Sequence, residues 1–456
     1  MKNNFKITKG LDIPITGIAS LEVVSAGESE IWSVNPNDYH GVIPRLLVRV
    51  GDLVKAGTPV YSDKNRPEVL FVSPISGVVT NIVRGEKRKL LNILIKADAQ
   101  TEYVPFPIRN PLEMSGDEVM KTLLESGLWP TLRQRPYDTI ADPHKTARDI
   151  FVTGFDSSPL APNYDFILKG QGADFQKGLD ALTRLNEGKV FLGLSVNSHA
   201  PELNQALRVE ICRFDGPHPA GLVGIQINQI KPVNKGEVVY TANALDVLAI
   251  GRFFNQGKTD RTRLVAITGP MVRKPCYVRC KPGIPMKTLL EGNVYKEASL
   301  RYVSGNALTG KQTETDGYLS ANAHQVTVLK EGEGIHEMLG WALPRLNLFS
   351  FSRTYFTKLV RRFQPEKAYE PDTRLLGGER ALIMSGEYEK VFPMDILPEH
   401  LTRACISGNI ERQEELGIYE VAPEDFALCE YVCTSKVGVQ QVVREALDKL
   451  KAENGD

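Results

Sequence analysis

Hydrophobic positions change their spacing along the chain, and each change marks a predicted domain. Up to about residue 105, short β-branched runs end at glycines, which predicts strands and turns. Residues 148–258 alternate between strand-like runs and helical periodicity, and residues 381–456 carry apolar residues at helical spacing. We therefore predict a multidomain α/β protein that ends in a helical domain.

The stretch 48–83 is the most regular part of the predicted N-terminal region 1–105. Its extended valines and turn glycines are Val48, Val50, Val54, Val60, Gly51, Gly57 and Gly77. This spacing resembles the barrel-sandwich of biotinyl and lipoyl carrier domains. A carrier needs a lysine at an exposed hairpin tip, and Lys64 stands between the two half-motifs. The alternative is an ordinary turn lysine, which the irregular residues 65–67 favour.

Three further regions follow a predicted helical linker at 106–147, which holds a helix at 117–129. The region 148–258 is predicted as a Rossmann-like α/β domain, 259–330 as a β-grasp domain and 381–456 as a helical domain. The predicted strands are 150–153, 189–194, 208–214, 224–230, 263–268, 277–280 and 300–303. The later predicted helices are 175–185, 245–254, 285–290, 398–407, 422–433 and 439–452.

Composition excludes several classes of protein. Lysine plus arginine and aspartate plus glutamate number 55 each among 456 residues, so the chain lacks the basic excess of a nucleic-acid binder. No run of about 18 apolar residues is present, and the N-terminus lacks a signal-peptide pattern. Six cysteines are too few for a disulfide framework, so a reducing cytoplasm is the simplest expectation.

Two glycine turns are the best candidates for a binding site. The turn 215–222 holds two prolines, two glycines and His218, which is either a proton donor or ligand contact or a surface histidine of a structural loop. Thr268-Gly269-Pro270 is a similar turn. The pair Gly170 and Gly172 lacks the third glycine of a dinucleotide fingerprint, since position 175 is Phe175.

The cysteines form two pairs with equal spacing. Cys276 and Cys280 bracket three residues, as do Cys429 and Cys433. This spacing is within reach of zinc, but the pairs fall in different predicted domains, so we expect no metal site. Cys212 and Cys405 are expected to be small buried apolar residues.

A basic and aromatic segment lies at 338–365, within a predicted connecting segment 331–380. It contains no acidic residue, and its aromatic residues interleave with arginines that include Arg353, Arg361 and Arg362. This composition suits docking at a membrane face or on a membrane protein. The alternative is an ordinary basic segment between domains.

The order of these parts resembles one family end to end: the A subunits of bacterial sodium-translocating NADH:quinone reductases. The motifs that carry the resemblance are ITKGLDIPITG at 7–17, VRVGD at 48–52, SGLW at 126–129, FDGPHPAGL at 214–222, LTG at 308–310, GWALP at 340–344 and EDFALCEYVC at 424–433. The relatives of this family are the C subunits of Rnf-type complexes and the NADH-binding flavoprotein of complex I.

The resemblance also implies that the cofactor loops of those relatives are degenerate here. Their glycine-rich phosphate loop corresponds to 128–136, which carries Arg133, Arg135 and two prolines. Their flavin loop corresponds to 153–159, with Gly154 and only one acid, Asp156. The resemblance thus implies that this chain binds no cofactor. It implies NAD, FAD, FMN, riboflavin and iron–sulfur groups in the other subunits.

For function, the resemblance implies a peripheral protein on the cytoplasmic face of the bacterial inner membrane. It would belong to a complex of six subunits, in which its partners are the B to F subunits and its direct contact is the B subunit. It would support ubiquinone reduction and assembly while the complex exports sodium. The candidate ligand or quinone-side residues are Asp215, Pro217, His218, Gly221 and Gly269. The alternatives are an NADH- or flavin-binding electron-input protein of Rnf type, and a lipoyl-type carrier or interaction module.

Overall fold

The computed structural model describes residues 3–296, 299–332, 345, 348–351, 357, 363–364 and 366–455. Within these residues the chain forms a barrel-sandwich, an α/β domain, a third domain built on a mixed sheet, and a helical C-terminal region. The helices are Gly116–Glu125, Tyr164–Leu168, Gly172–Leu182, Pro201–Asn204, Val223–Ile230, Ala244–Gln256, Met286–Leu289, Pro398–Ser407, Ile410–Glu415, Ala427–Val432 and Val439–Glu453. The prediction of a multidomain α/β protein is confirmed at this level.

The barrel-sandwich is built from two small antiparallel sheets. One has the spatial order Ile31–Val34, Leu90–Ala97, Gly77–Arg84, Leu53–Val54, and the other Pro44–Leu46, Pro59–Asp63, Leu70–Val72. Alternating residues such as Val79, Ile93 and Ile95 point into the core between the sheets and are fully buried. Lys64 follows directly after the strand Pro59–Asp63 and is exposed.

A largely parallel sheet forms the centre of the α/β domain. Its spatial order is Asn4–Lys6, Glu210–Asp215, Val190–Ser195, Ile150–Thr153, Val239–Asn243, Arg133–Arg135, Thr139–Ile140. Pairing is parallel from the first of these to the fifth, and the last two strands pair antiparallel. Because Arg133–Arg135 joins this sheet, the sheet extends into the predicted linker 106–147.

Both faces of this sheet are covered. Ile150 and Val152 pack with the helices Gly172–Leu182 and Ala244–Gln256 on one face. Phe151, between them in sequence, packs on the other face with the C-terminal helical region. Successive residues of a strand point to opposite faces, so a continuously apolar strand is the expected result of this three-layer arrangement.

One predicted element has the wrong type. The isoleucines of 224–230 are β-branched and predict a strand, but residues Val223–Ile230 form a helix. This helix connects Glu210–Asp215 to Val239–Asn243, and parallel strands of one sheet need a crossover of this kind. Tertiary context therefore overrides the local β propensity.

The third domain has a sheet with the order Lys311–Thr313, Leu300–Ser304, Gln325–Lys330, Arg263–Thr268, Cys276–Cys280, Val23–Ser25. Its last strand comes from the N-terminal segment, which also supplies Asn4–Lys6 to the α/β sheet. The first 25 residues therefore run along two domains before the chain enters the barrel-sandwich.

Candidate functional site

The carboxyl ends of two neighbouring parallel strands define the place where an α/β sheet usually binds a ligand. Apart from the N-terminal strand Asn4–Lys6, the parallel strands of the α/β domain lie in the order 3-2-1-4 when they are counted along the chain. The connections therefore diverge between Ile150–Thr153 and Val239–Asn243. Ligands of open α/β sheets bind in the crevice outside such a divergence. Residues 153–159, the predicted flavin-loop equivalent, lie at this point.

The turn 214–222 covers the end of the first of these strands. The backbone N–H of Gly221 donates to Ser157 Oγ at 2.8 Å, and its carbonyl accepts a hydrogen bond from Thr153 Oγ1 at 3.0 Å. A methyl group at Gly221 would lie 2.5 Å from the Ser157 backbone nitrogen. The two loops are therefore in direct backbone contact, and only glycine permits that approach.

The side chain of His218, which belongs to this turn, is buried, so His218 is not a surface histidine. It is 3% exposed, and its Nδ1 lies 3.0 Å from Ser157 Oγ. Its backbone N–H donates to Asp12 Oδ1 at 2.8 Å. Burial lowers the pKa of His218, although the carboxylates of Asp156 and Asp12 act in the opposite direction. His218 therefore lies between the two loops, in an environment that disfavours its charged form.

Replacing Ser157 by alanine is expected to destabilise the fold by about 1–3 kcal/mol. The change removes the hydroxyl that bonds both the Gly221 N–H and the His218 ring, and leaves these groups without that partner. Urea unfolding followed by circular dichroism measures the loss. Ser20→Ala is the matched control, because the Ser20 hydroxyl makes an exposed bond to Pro275. Equal stability of the two variants would contradict the role given to Ser157.

The N-terminal segment hydrogen-bonds to both predicted turns, and it does so through different residues. Leu11 N–H donates to the His218 carbonyl at 2.8 Å, and a Cβ at Gly10 would lie 2.2 Å from that oxygen. Further along, Gly269 N–H donates to the Gly17 carbonyl at 2.9 Å. Gly269 therefore contacts another part of this segment than the His218 turn does. Of the predicted turn residues, Asp215 is exposed and Pro217 is half-buried.

Arg135, in the predicted nucleotide-loop equivalent, pairs with the C-terminal region. Its side chain is 1% exposed, and its guanidinium lies 2.6 Å from Asp425 and 3.2 Å from Glu424. Burial disfavours the charge, but the Asp425 carboxylate raises the pKa of Arg135. Arg133 instead pairs with Asp138 at 2.9 Å. Arg135 therefore fastens the C-terminal region to the sheet edge.

A polar cavity of about 450 Å³ opens beside the strand divergence. Its lining includes Arg133 and Asp156, which are predicted candidates, and Tyr164 and Asn243, which are not. The Asn243 side-chain amide donates to Tyr164 Oη at 2.6 Å. Asn243 also caps the helix Ala244–Gln256, and an asparagine before a helical run is the signal in the sequence that could have found it. Gly154 does not line this cavity; it packs on Leu194.

The cysteines do not come together as a metal site. All six are free and buried. Cys276 and Cys280 lie in the core of the third domain, and Cys429 and Cys433 lie in the C-terminal core. Cys433 Sγ accepts a hydrogen bond from Tyr388 Oη at 3.0 Å. Among the described residues no three His, Cys, Asp or Glu side chains are grouped as metal ligands would be.

The predicted docking segment is largely outside the described residues. Arg353, Arg361 and Arg362 all belong to the undescribed part. In the part of the chain that is described, no helix has the length and apolar character that crossing a bilayer requires.

Three family models match the chain. The NqrA N-terminal barrel-sandwich hybrid domain covers residues 5–98, the NqrA second alpha/beta domain covers 114–259, and the NQRA C-terminal domain covers 264–315. These matches follow the order of the three folded units described above.

Full-length relatives give the same result. Two proteins named as the A subunit of Na(+)-translocating NADH-quinone reductase, from Hahella chejuensis and Photorhabdus laumondii, are each 37% identical over 98% of this chain and 99% of their own length. The protein of that name from Pasteurella multocida is 36% identical with the same coverage. An NAD+-reducing [NiFe]-hydrogenase structure matches with a TM-score of 0.37 and 13% identity, over 76% of this chain and 63% of that one.

Proposed function

The chain belongs to the family of A subunits of Na+-translocating NADH-quinone reductases, and we propose that it is a cofactor-free peripheral component of such a complex. It supports the quinone-reduction step and the assembly of the complex on the cytoplasmic face of the membrane. NAD, FAD, FMN, riboflavin and iron–sulfur groups belong to the other subunits, and ubiquinone is the substrate. Its direct partner is the B subunit.

We further infer a Rossmann-like origin for the α/β domain and a β-grasp origin for the third domain. The strand order 3-2-1-4 supports the first inference. Two antiparallel strands, the short helix Met286–Leu289 and further strands in one mixed sheet support the second. In a scaffold of dehydrogenase type, the cofactor binds at the carboxyl ends of the parallel strands. The loss of a cofactor should therefore be visible at these strand ends.

The observation that carries the proposal is the covered strand end. In a nucleotide-binding domain of this kind, a glycine-rich turn after the first strand leads into a helix whose N-terminus binds phosphate. Here residues 153–164 are all described, and the chain after Thr153 makes no helix until Tyr164. Gly221 and His218 of the turn 214–222 bond to Ser157 in this loop. The protein's own backbone and side chains take up hydrogen-bonding groups that a cofactor would need.

The second predicted cofactor loop supports the same proposal. Trp129 and Leu132 are buried, and the indole N–H of Trp129 donates to the Ala141 carbonyl at 2.8 Å. Arg133–Arg135 then pairs with Val239–Asn243 along its full length. The backbone N–H groups of residues 129–135 belong to the short 3-10 helix Trp129–Thr131 and to this strand. They are therefore not arranged to bind a phosphate group.

For the quinone side we propose that the exposed tip of the turn 214–222 meets the neighbouring protein of the complex. Asp215 is exposed there, while His218 is buried and bonded to Ser157. His218 is therefore a positioning residue in this proposal, and Asp215 and Pro217 are the residues within reach of a partner. The basic segment with Arg353, Arg361 and Arg362 is our proposed docking surface for the B subunit.

The cavity of about 450 Å³ favours one alternative function, an electron-input protein that binds NADH or flavin. It lies at the divergence of the parallel strands, where such ligands bind in open α/β sheets. Among the described residues, its lining holds four acidic residues, Asp38, Asp138, Asp156 and Glu424, and the two cations Arg133 and Lys311. This excess of acidic residues disfavours a pyrophosphate group, because like charges repel.

Purification of the full chain under native conditions distinguishes the two functions. We expect no flavin absorption band at stoichiometric intensity and no calorimetric heat on titration with NADH. A stoichiometric flavin spectrum would contradict the cofactor-free proposal. Saturable NADH binding that the variant Arg133→Gln weakens would assign the alternative function to the cavity, because Arg133 lines it.

A further inference from the structure

A strongly basic cavity lies between the α/β domain and the sheet of the third domain. Its volume is about 390 Å³. Within the described residues, its charged lining consists of one carboxylate, Asp246, one histidine, His324, and five cations: Lys169, Arg252, Arg261, Arg263 and Arg279. The lining therefore carries a clear excess of positive charge.

These five cations lack direct carboxylate partners in the described part of the chain. None of them has a described carboxylate oxygen within the 4.0 Å that defines an ion pair. Other arginines of these domains behave differently, since Arg208 lies 2.6 Å from Asp180 and Arg301 lies 2.8 Å from Glu331. Five cations that share one lining carboxylate repel one another, and an anion bound among them would offset that repulsion.

Two side chains in this lining hold unused hydrogen-bonding atoms. Arg261 is 8% exposed, and its Nη2 is buried without a hydrogen-bond partner among the described residues. Both ring nitrogens of His324 are also buried and make no hydrogen bond there, and Nε2 lies 3.7 Å from the Asp246 carboxylate. Buried donors in native proteins nearly always have a partner, so Nη2 of Arg261 points to an acceptor from outside the chain.

Two other arginines are held in place by backbone groups. Arg263 donates to the Ala321 carbonyl at 2.8 Å, and Arg252 donates to the Thr262 carbonyl at 2.7 Å and also to Gln171 Oε1. Their guanidinium planes are therefore fixed before any ligand arrives. A preorganised guanidinium binds an oxyanion with less loss of side-chain entropy than a flexible lysine does.

We propose that this cavity binds a phosphate-bearing small anion. A phosphate or diphosphate group carries several negative charges and oxygen acceptors in a geometry that guanidinium groups match. The apolar part of the lining, which includes Phe166, Leu245 and Leu248, faces the remainder of the ligand. The cavity volume lies in the range of small-molecule sites. This site is separate from the covered strand end and does not depend on the proposed role in the complex.

Calorimetric titration of the full chain with inorganic pyrophosphate tests the proposal. The variant Lys169→Gln/Arg279→Gln removes two exposed cations of the lining and is expected to fold normally. We expect saturable binding to the unchanged chain and a loss of affinity of about tenfold or more in this variant, because each charge-assisted contact contributes strongly. Lys274→Gln/Lys287→Gln is the matched control, since both lysines are exposed and outside the lining.

A second arm distinguishes a soluble ligand from a lipid headgroup, which carries the same phosphate chemistry. Vesicles that contain phosphatidic acid are sedimented with the unchanged chain and with both variants. Vesicle binding that only the lining variant loses identifies a lipid phosphate, and pyrophosphate binding without vesicle association identifies a soluble phosphate compound. Absence of binding in both arms, or equal losses in the lining variant and the control, would overturn the proposal.

Discussion

Replacing Asp425 by asparagine is expected to lower the free energy of unfolding by about 3–5 kcal/mol. The Asp425 side chain is fully buried and lies 2.6 Å from the guanidinium of Arg135, which is itself 1% exposed. Asparagine keeps the shape but removes the charge, so Arg135 keeps its contacts at 3.2 Å with the partly exposed Glu424 and with the Glu420 carbonyl but loses its fully buried counter-charge. Removing one partner of a buried ion pair leaves an uncompensated charge in a low-dielectric environment.

Urea unfolding monitored by tryptophan fluorescence and circular dichroism measures this effect. The matched control is Glu415→Gln, because Glu415 is 63% exposed and its pair with Arg412 at 2.6 Å is on the surface. Exposed pairs contribute about 0–1 kcal/mol. The double variant Arg135→Met/Asp425→Leu should regain much of the lost stability, since it removes both charges. A small loss in Asp425→Asn would contradict the view that this pair fastens the C-terminal region.

Replacing Gly251 by alanine is expected to destabilise the α/β domain by about 3 kcal/mol, at the upper end of overpacking effects. The helices Gly172–Leu182 and Ala244–Gln256 cross so closely that a Cβ at Gly251 would lie 1.6 Å from the carbonyl oxygen of Asp174. Since the obstacle is backbone, the helices themselves must move apart. Alanine normally stabilises a helix interior relative to glycine by about 1 kcal/mol, so the expected sign is reversed here.

Thermal unfolding of Gly251→Ala and Gly172→Ala makes the comparison within one helix pair. Gly172 has the side chain of Glu202 as its nearest neighbour, with Cγ 3.2 Å from the added methyl group, and this flexible side chain can move aside. We therefore expect Gly172→Ala to stay within about 0.5 kcal/mol of the unchanged chain. Similar melting temperatures for both variants would show that the helix crossing is more adaptable than the geometry indicates.

Elements with strong local signals were predictable from the sequence. The strand Arg263–Thr268 and the helix Pro398–Ser407 have the predicted bounds, because apolar spacing and an initial proline define them locally. The helix predicted at 117–129 instead begins at Gly116, next to the Ser115 cap, and ends at Glu125. The exact first and last residues of a helix depend on its capping residues and on the tertiary contacts at its ends.

Elements that depend on distant partners were not predictable. Arg133–Arg135 has no apolar alternation, and it is a strand because Val239–Asn243 offers it an unpaired edge. The helix Val223–Ile230 has β-branched residues but must cross between parallel strands. In both cases the deciding interaction joins residues far apart in sequence, which periodicity cannot report.

The candidate sites also differ in whether a local sequence signal or a contact between distant residues defines them. The turn 214–222 was recognisable from its glycines and prolines, yet its contact with Ser157 required the fold. The basic cavity had no signal of its own, because Lys169, Arg252, Arg261 and Arg279 come from separate elements of two domains. Gly170 and Gly172, beside Lys169, stood out in the sequence only as part of an incomplete dinucleotide fingerprint.

The strands of the N-terminal segment can pair only late in biosynthesis. Phe5 pairs with Phe214 and Val24 pairs with Val278, so the first strands leave the ribosome long before their partners are made. At the usual rate of about 5–20 residues per second, these strand edges wait for about ten seconds or more. During that time they are open to pairing with other nascent chains, and a chaperone that holds the beginning of the chain would raise the yield of folded protein.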